Sequence, residues 1–141
     1  TPGTSRGQCA EFCGASHAWM AFSAVVMPPD AFEDWLEAEA RDAAPPEGEA
    51  AGRGAALFRT EGCGACHTVR GTEAVGLVGP DLTHVGSRTT LGAGRLGATL
   101  DDFTAWIAHT DDLKPEVRMP TYDHLSDAQT RALATYLKGL E

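Results

Sequence analysis

The chain has 141 residues, 20 acidic against 11 basic side chains, and a formal net charge of −9. That length suits one domain or one domain with an extra segment, and the acidic balance argues against a nucleic-acid partner while remaining compatible with a basic protein partner. The longest largely apolar run, "AWMAFSAVVMPP" (18–29), falls short of the roughly 20 residues a membrane span needs. The polar opening "TPGTSRGQ" has neither an initiating methionine nor a signal-peptide pattern, and reads as the cut end of a longer parent, the fragment itself being soluble.

The first chemistry along the chain is "CAEFCGASHAWM" (9–20), which offers Cys9, Cys13, His17 and Met20 within twelve residues. Two thiolates, an imidazole and a thioether form a soft donor set suited to copper. A local Cys9–Cys13 disulfide is the alternative, but it gives no reason for His17 and Met20. The β-branched and aromatic residues of 18–27 then predict a strand. Pro29-Asp30 opens a helix, with Asp30 as its cap, Glu33 three residues on, and Phe32, Trp35 and Leu36 on one apolar face. One or two strands and a helix are too little for a stable β-domain, so residues 1–42, with two basic and seven acidic side chains, read as the tail of something larger. "AAPPEGEAAG" (43–52) has linker composition.

Residues 53–141 are mainly α in pattern. A helix over 52–62 leads into "CGACH" (63–67), the C-x-x-C-H pattern of covalent c-type haem attachment. Two thiols reach the two vinyl groups on one edge of the porphyrin, and the histidine turns under the iron. A redox C-x-x-C and half a zinc site are the alternatives; the first wants a βαβ context, which is missing, and the second another ligand pair at a suitable spacing, and none follows. Thr99 and Asp102 form a capping-box pattern ahead of Phe103, Trp106 and Ile107, and Ser126 and Gln129 form another ahead of Leu133, Tyr136, Leu137 and Leu140. Between them run the long loops 76–88 and 112–123. Three helices with such loops make a thin core, as expected of a chain wrapped around a cofactor. For a sixth iron ligand the residues offer Met119, with His84, His109 and His124 as rivals. The place of Met119, in "VRMPTYD" just before the last helix, favours it.

"GCGACH", "VGPDL" and "RMPTYDHLSDAQTRALATYLKGL" resemble a class I cytochrome c over about 53–141. The resemblance implies that fold, haem thioethers at Cys63 and Cys66, and His67 and Met119 as axial ligands. It also implies an acceptor for the His67 N–H at the Pro80 carbonyl, and Gly54 and Phe58 packed against Tyr136 where the terminal helices cross. Arg88 and Trp106 are its candidates for the haem pocket. "CAEFCGASHAWM" resembles the binuclear copper A site of subunit II of haem-copper oxidases. This implies Cys9 and Cys13 as bridges, His17 and Met20 as terminal ligands, the Glu11 backbone carbonyl as a further donor, and 1–42 as a truncated β cupredoxin tail with one helix. That family takes a second histidine from an earlier strand. Eight residues precede Cys9 and none is histidine, so the copper site is expected to be incomplete in this chain, with residues 1–42 folding differently, pairing with a neighbouring chain or closing a disulfide.

A copper A tail fused to a cytochrome c resembles the caa3-type oxidases. The implied function is electron transfer from a soluble donor, a cytochrome c or similar redox protein, through haem c to copper A, and on to oxygen reduction and proton pumping in subunit I. The parent would be anchored on the outer face of the bacterial cell membrane by its missing N-terminal part, and no residue of this chain stands out as a catalytic acid, base or nucleophile. A nitrous oxide reductase tail and a free-standing cytochrome c carrier are the alternatives. Glu11 and Trp19 follow the oxidase form of the motif.

Overall fold

A computed structural model describes all 141 residues. It contains a two-stranded antiparallel sheet and five helices, in the order β1 (Gly3–Gln8), β2 (Ala21–Val26), α1 (Pro29–Glu39), α2 (Gly48–Thr60), α3 (Leu100–Ala108), α4 (Thr110–Leu113) and α5 (Asp127–Lys138). The hairpin pairs Gly3 with Val26 through to Gln8 with Ala21. The fold is mainly helical, with the small sheet confined to the N-terminus.

The helical part is organised by the crossing of α2 and α5. Gly54 is the closest point of approach: a Cβ there would lie 2.0 Å from the Ala132 carbonyl oxygen and 2.7 Å from Tyr136 Cβ. One turn later Phe58 meets Tyr136 edge-on, ring centroids 5.6 Å apart and planes at 67°, a favoured aromatic geometry. Phe58, Phe103, Ile107, Leu133, Tyr136 and Leu140 form the centre of a single buried cluster that Val69, Leu82, Val85 and Leu91 extend into the loops. Both expected capping boxes are present, Thr99 with Asp102 on α3 and Ser126 with Gln129 on α5, and each satisfies orphan N–H groups at the helix start.

Three local expectations differ from the structure. The strand begins at Ala21 and not at residue 18, because His17–Trp19 make a 3-10 turn that brings His17 back towards the cysteines. Helix α1 has no side-chain cap: Pro28 stands at the cap and Pro29 at the first helical position, where a missing N–H costs nothing, which moves Asp30 into the first turn. Helix α2 begins at Gly48, so residues 48–52 of the expected linker are helical. Buried Ala51 and an Arg53–Glu49 ion pair one turn apart outweigh the glycines that made this stretch look like coil.

Phe22, Val25 and Val26 on β2 and Phe32, Trp35 and Leu36 on α1 are exposed. The hairpin and α1 therefore present apolar residues without a layer over them.

Gly54→Ala should destabilise the protein by about 1–3 kcal/mol, since backbone faces backbone and the helices must separate to admit the methyl. Gly52→Ala, where nothing lies within 4 Å, should stabilise it by up to about 1 kcal/mol through helix propensity. Denaturant unfolding of the two variants checks both signs.

Candidate functional site

Cys63–Ala65 form a 3-10 turn directly after α2, entered through Gly62 in the left-handed region (φ 73°). Cys63 is half-buried, Cys66 exposed, and both thiols are free. Burial pushes the Cys63 thiol up, with the Tyr122 hydroxyl pulling the other way, and Tyr122 itself is raised to about 12, first by burial and then by Cys63. Tyr122 lies three residues beyond half-buried Met119. Its contact with Cys63 therefore brings the Met119 loop onto the C-x-x-C-H turn.

His67 Nδ1 lies 2.8 Å from the Pro80 carbonyl oxygen. A carbonyl only accepts, so Nδ1 carries the proton and Nε2 keeps its lone pair for a metal. The ring is held from a second side by Gly79, where a Cβ would come within 2.5 Å of the imidazole. Leu77 and Val78, beside this loop, are 91% and 78% exposed. The residues thus fit a haem: two free thiols, an imidazole with its tautomer set and its orientation fixed, and an apolar surface for a porphyrin to cover.

Two of the three rival histidines are engaged elsewhere. His84 Nε2 lies 3.0 Å from the Arg41 carbonyl oxygen, and His124 Nε2 lies 3.1 Å from Glu61 Oε2. His109 is exposed at the end of α3. Of the two pocket candidates, Arg88 donates to the Asp81 carbonyl at 2.7 Å, and Trp106 is half-buried, packed on the core and close above Gly92.

The loop after Pro80 is set by Asp81, whose Oδ1 accepts from the Thr83 N–H at 2.8 Å and whose Oδ2 pairs with Arg70 at 3.3 Å. Burial alone would raise its carboxyl, but the Thr83 and Arg70 donors outweigh that and hold it below the ordinary value. Arg70 reaches further, donating to the carbonyls of Glu39 and Arg41 at the end of α1. No motif in the sequence singles out Arg70; the Asp81-x-Thr83 spacing is a turn signal that could have marked Asp81.

The second cluster is built on the hairpin. The five expected donors converge. Cys9 Sγ is 3.5 Å from Cys13 Sγ and 3.1 Å from the Glu11 carbonyl oxygen, and Cys13 Sγ is 3.6 Å from His17 Nδ1 and 3.4 Å from Met20 Sδ. The sulfur separation is far beyond the roughly 2.0 Å of a disulfide, and both thiols are free. A hydrogen bond with Cys9, then burial and the charge of Cys9, push the Cys13 thiol up, while Lys114 pulls it down. Two thiolates this close repel unless a cation lies between them, so this donor set fits a soft metal. One histidine, His17, is in the cluster.

The cytochrome c family model matches residues 51–141. This chain belongs to the cytochrome c family. Haem c and electron transport follow from that membership. Similar curated proteins extend the likeness over the N-terminal segment. Cytochrome c oxidase subunit 2 of Alkalihalophilus pseudofirmus is 34% identical over 99% of this chain and 40% of its own length. The subunits 2 of Bacillus subtilis and Bacillus sp. PS3 are 36% and 33% identical over 96% and 99% of this chain. The chain spans about 40% of the length of these relatives. No helix in it is long and apolar enough to cross a membrane.

Asp81→Asn should cost about 0.5–1 kcal/mol at neutral pH, solvent screening limiting the worth of a carboxylate that is 45% exposed. Because the folded carboxyl titrates below its ordinary value, this contribution is fully present above about pH 4 and fades as pH falls through the folded value. Denaturation midpoints of wild type and Asp81→Asn between pH 7 and pH 2 should therefore converge at the acid end.

Proposed function

We propose that residues 51–141 carry one covalent haem c on Cys63 and Cys66, with His67 Nε2 and the Met119 thioether as axial ligands, and pass electrons to a copper pair held by Cys9, the Glu11 carbonyl, Cys13, His17 and Met20. The observation that carries this reading is the convergence of those five soft donors in the same chain as a C-x-x-C-H turn whose histidine keeps Nε2 bare. A haem held by the His67 imidazole and the Met119 thioether would supply one-electron transfer at a raised potential. Copper held by the Cys9 and Cys13 thiolates would supply a second one-electron centre.

The chain's own residues do the positioning. Pro80 and Gly79 fix the His67 ring, a constraint of the kind that tunes a metal from outside its ligands. Tyr122 ties the Met119 loop to Cys63, and Leu77 and Val78 offer apolar cover that excludes water. The copper pair needs a further histidine, which we place outside residues 1–141. The parent would be subunit 2 of a haem-copper oxidase of the caa3 type, on the outer face of the bacterial membrane, working with subunit I and taking electrons from a soluble redox protein. The oxidase relatives favour this over a nitrous oxide reductase tail, and their extension across residues 1–50 favours it over a free-standing carrier.

The ferric protein should show the absorbance band of a methionine–iron bond, and Met119→Ala should abolish it while a pyridine haemochrome assay still reports one c-type haem per chain. Persistence of the band in the variant would move the sixth ligand to another residue.

A further inference from the structure

The segment that leads into Met119 is also the one that touches the thiolate loop. Residues 114–117 lie between α4 and Met119, and they meet residues 14–16, between Cys13 and His17. Glu116 Oε2 accepts the Ala15 N–H at 2.9 Å, and the Ser16 hydroxyl donates to the Pro115 carbonyl at 2.6 Å. Glu116 adopts a left-handed backbone, φ 62°, a conformation unfavourable for a non-glycine residue that persists where its surroundings enforce it. Its carboxylate lies so close over Gly14 that a Cβ there would be 3.1 Å from Oε2.

The contact is reinforced nearby. Arg95 stacks over the Trp19 ring at 5.1 Å and donates Nε–H to the Leu113 carbonyl at 3.0 Å. Ala21 gives its N–H to the Ala93 carbonyl at 2.8 Å. A cavity of about 210 Å³ lies in this junction, walled by Cys13 and Met20 on one side and Lys114–Val117 on the other. None of these contacts is needed to hold a haem or to gather the five soft donors.

We infer that Pro115 and Glu116 form a clasp that fixes the Met119 loop against the Cys13–His17 loop and supplies the bonded path between the two metal centres, with Glu116 the positioning residue. The inference rests on the functional reading above. The path runs along the backbone from Met119 to Glu116, across one charge-assisted hydrogen bond to Ala15 N, and through Gly14 to Cys13. A parallel branch crosses from the Pro115 carbonyl to the Ser16 hydroxyl and on to His17. The event it would serve is the movement of one electron from a haem held by His67 and Met119 to copper held by Cys9 and Cys13, with no proton or bond exchanged. Hydrogen bonds to a charged acceptor are the stronger kind, which suits a contact that must hold orientation while the centres change charge.

The test uses the full-length, metal-loaded subunit as wild type, Glu116→Gly and Glu116→Gln. Glycine removes the acceptor and accepts the left-handed backbone, so folding is preserved; glutamine keeps an oxygen acceptor. Two quantities are read: amide hydrogen exchange at Ala15, and the rate of haem-to-copper transfer after flash reduction of the haem by a ruthenium complex. In Glu116→Gly we expect Ala15 exchange faster by about tenfold or more, from loss of a charge-assisted bond. We expect transfer slower by about tenfold from lost positioning, with the methionine–iron band unchanged, and Glu116→Gln should restore most of both. Unchanged Ala15 exchange would show that the clasp does not form, and faster exchange with an unchanged transfer rate would remove it from the electron path; either overturns the inference and leaves the functional reading standing. No transfer in wild type would overturn the functional reading and the inference with it.

Discussion

Everything in the helical part hangs on the absence of a side chain at Gly54. The crossing of α2 and α5 there is tight enough to bring the Gly54 Cα against the Ala132 carbonyl, and Phe58 then reaches Tyr136. Where the helices cross decides where α2 ends, hence where the Cys63–His67 turn starts, and where α5 starts, hence where the Met119 loop must finish. The Cys63–His67 turn and the Met119 loop, separated in the chain by residues 68–118, are brought together by one helix pair. The contact of Tyr122 with Cys63 is the local expression of that arrangement.

The helix pair was readable because its signals are local. Capping boxes at Thr99 and Ser126, a heptad-like stripe through Leu133, Tyr136 and Leu140, and the C-x-x-C-H turn each need only a few neighbouring residues. The resemblance to cytochrome c added the Pro80 acceptor and the Gly54 crossing, which no spacing rule supplies. Misreadings fell where a tertiary contact overrides composition. Gly48 and Gly52, with the prolines just before them, made residues 48–52 look like linker, yet they form the first turns of α2, with Ala51 buried. The run 18–20 looks like strand, yet the chain turns at His17–Trp19 to bring His17 Nδ1 within 3.6 Å of Cys13. Arg70 and Glu116 could not be found at all, since an arginine gathering carbonyls and a carboxylate capturing one distant N–H leave no pattern along the chain.

Arg70 is the second organising residue. It pairs with Asp81 beside the Pro80 acceptor and donates to Glu39 and Arg41 at the end of α1, so the loop that orients His67 is bonded to the segment that follows the hairpin. The Ala43 N–H goes to the Arg70 carbonyl at 3.1 Å, pinning the connection from the other side. Composition alone gives residues 43–52 the look of a loose linker.

That difference bears on how the two centres would communicate. A flexible tether raises the effective concentration of one partner near the other, but each productive encounter still has to be found by diffusion. A connection pinned at Arg70, with the far side of the module held at Ala15, Ser16, Trp19 and Ala21, replaces the search with a fixed geometry, in which the orientation cost is met once, on folding. Such a design explains why contacts between the modules are polar and directional while the apolar faces of β2 and α1 stay open. Those polar contacts hold the hairpin against the helical module in one orientation.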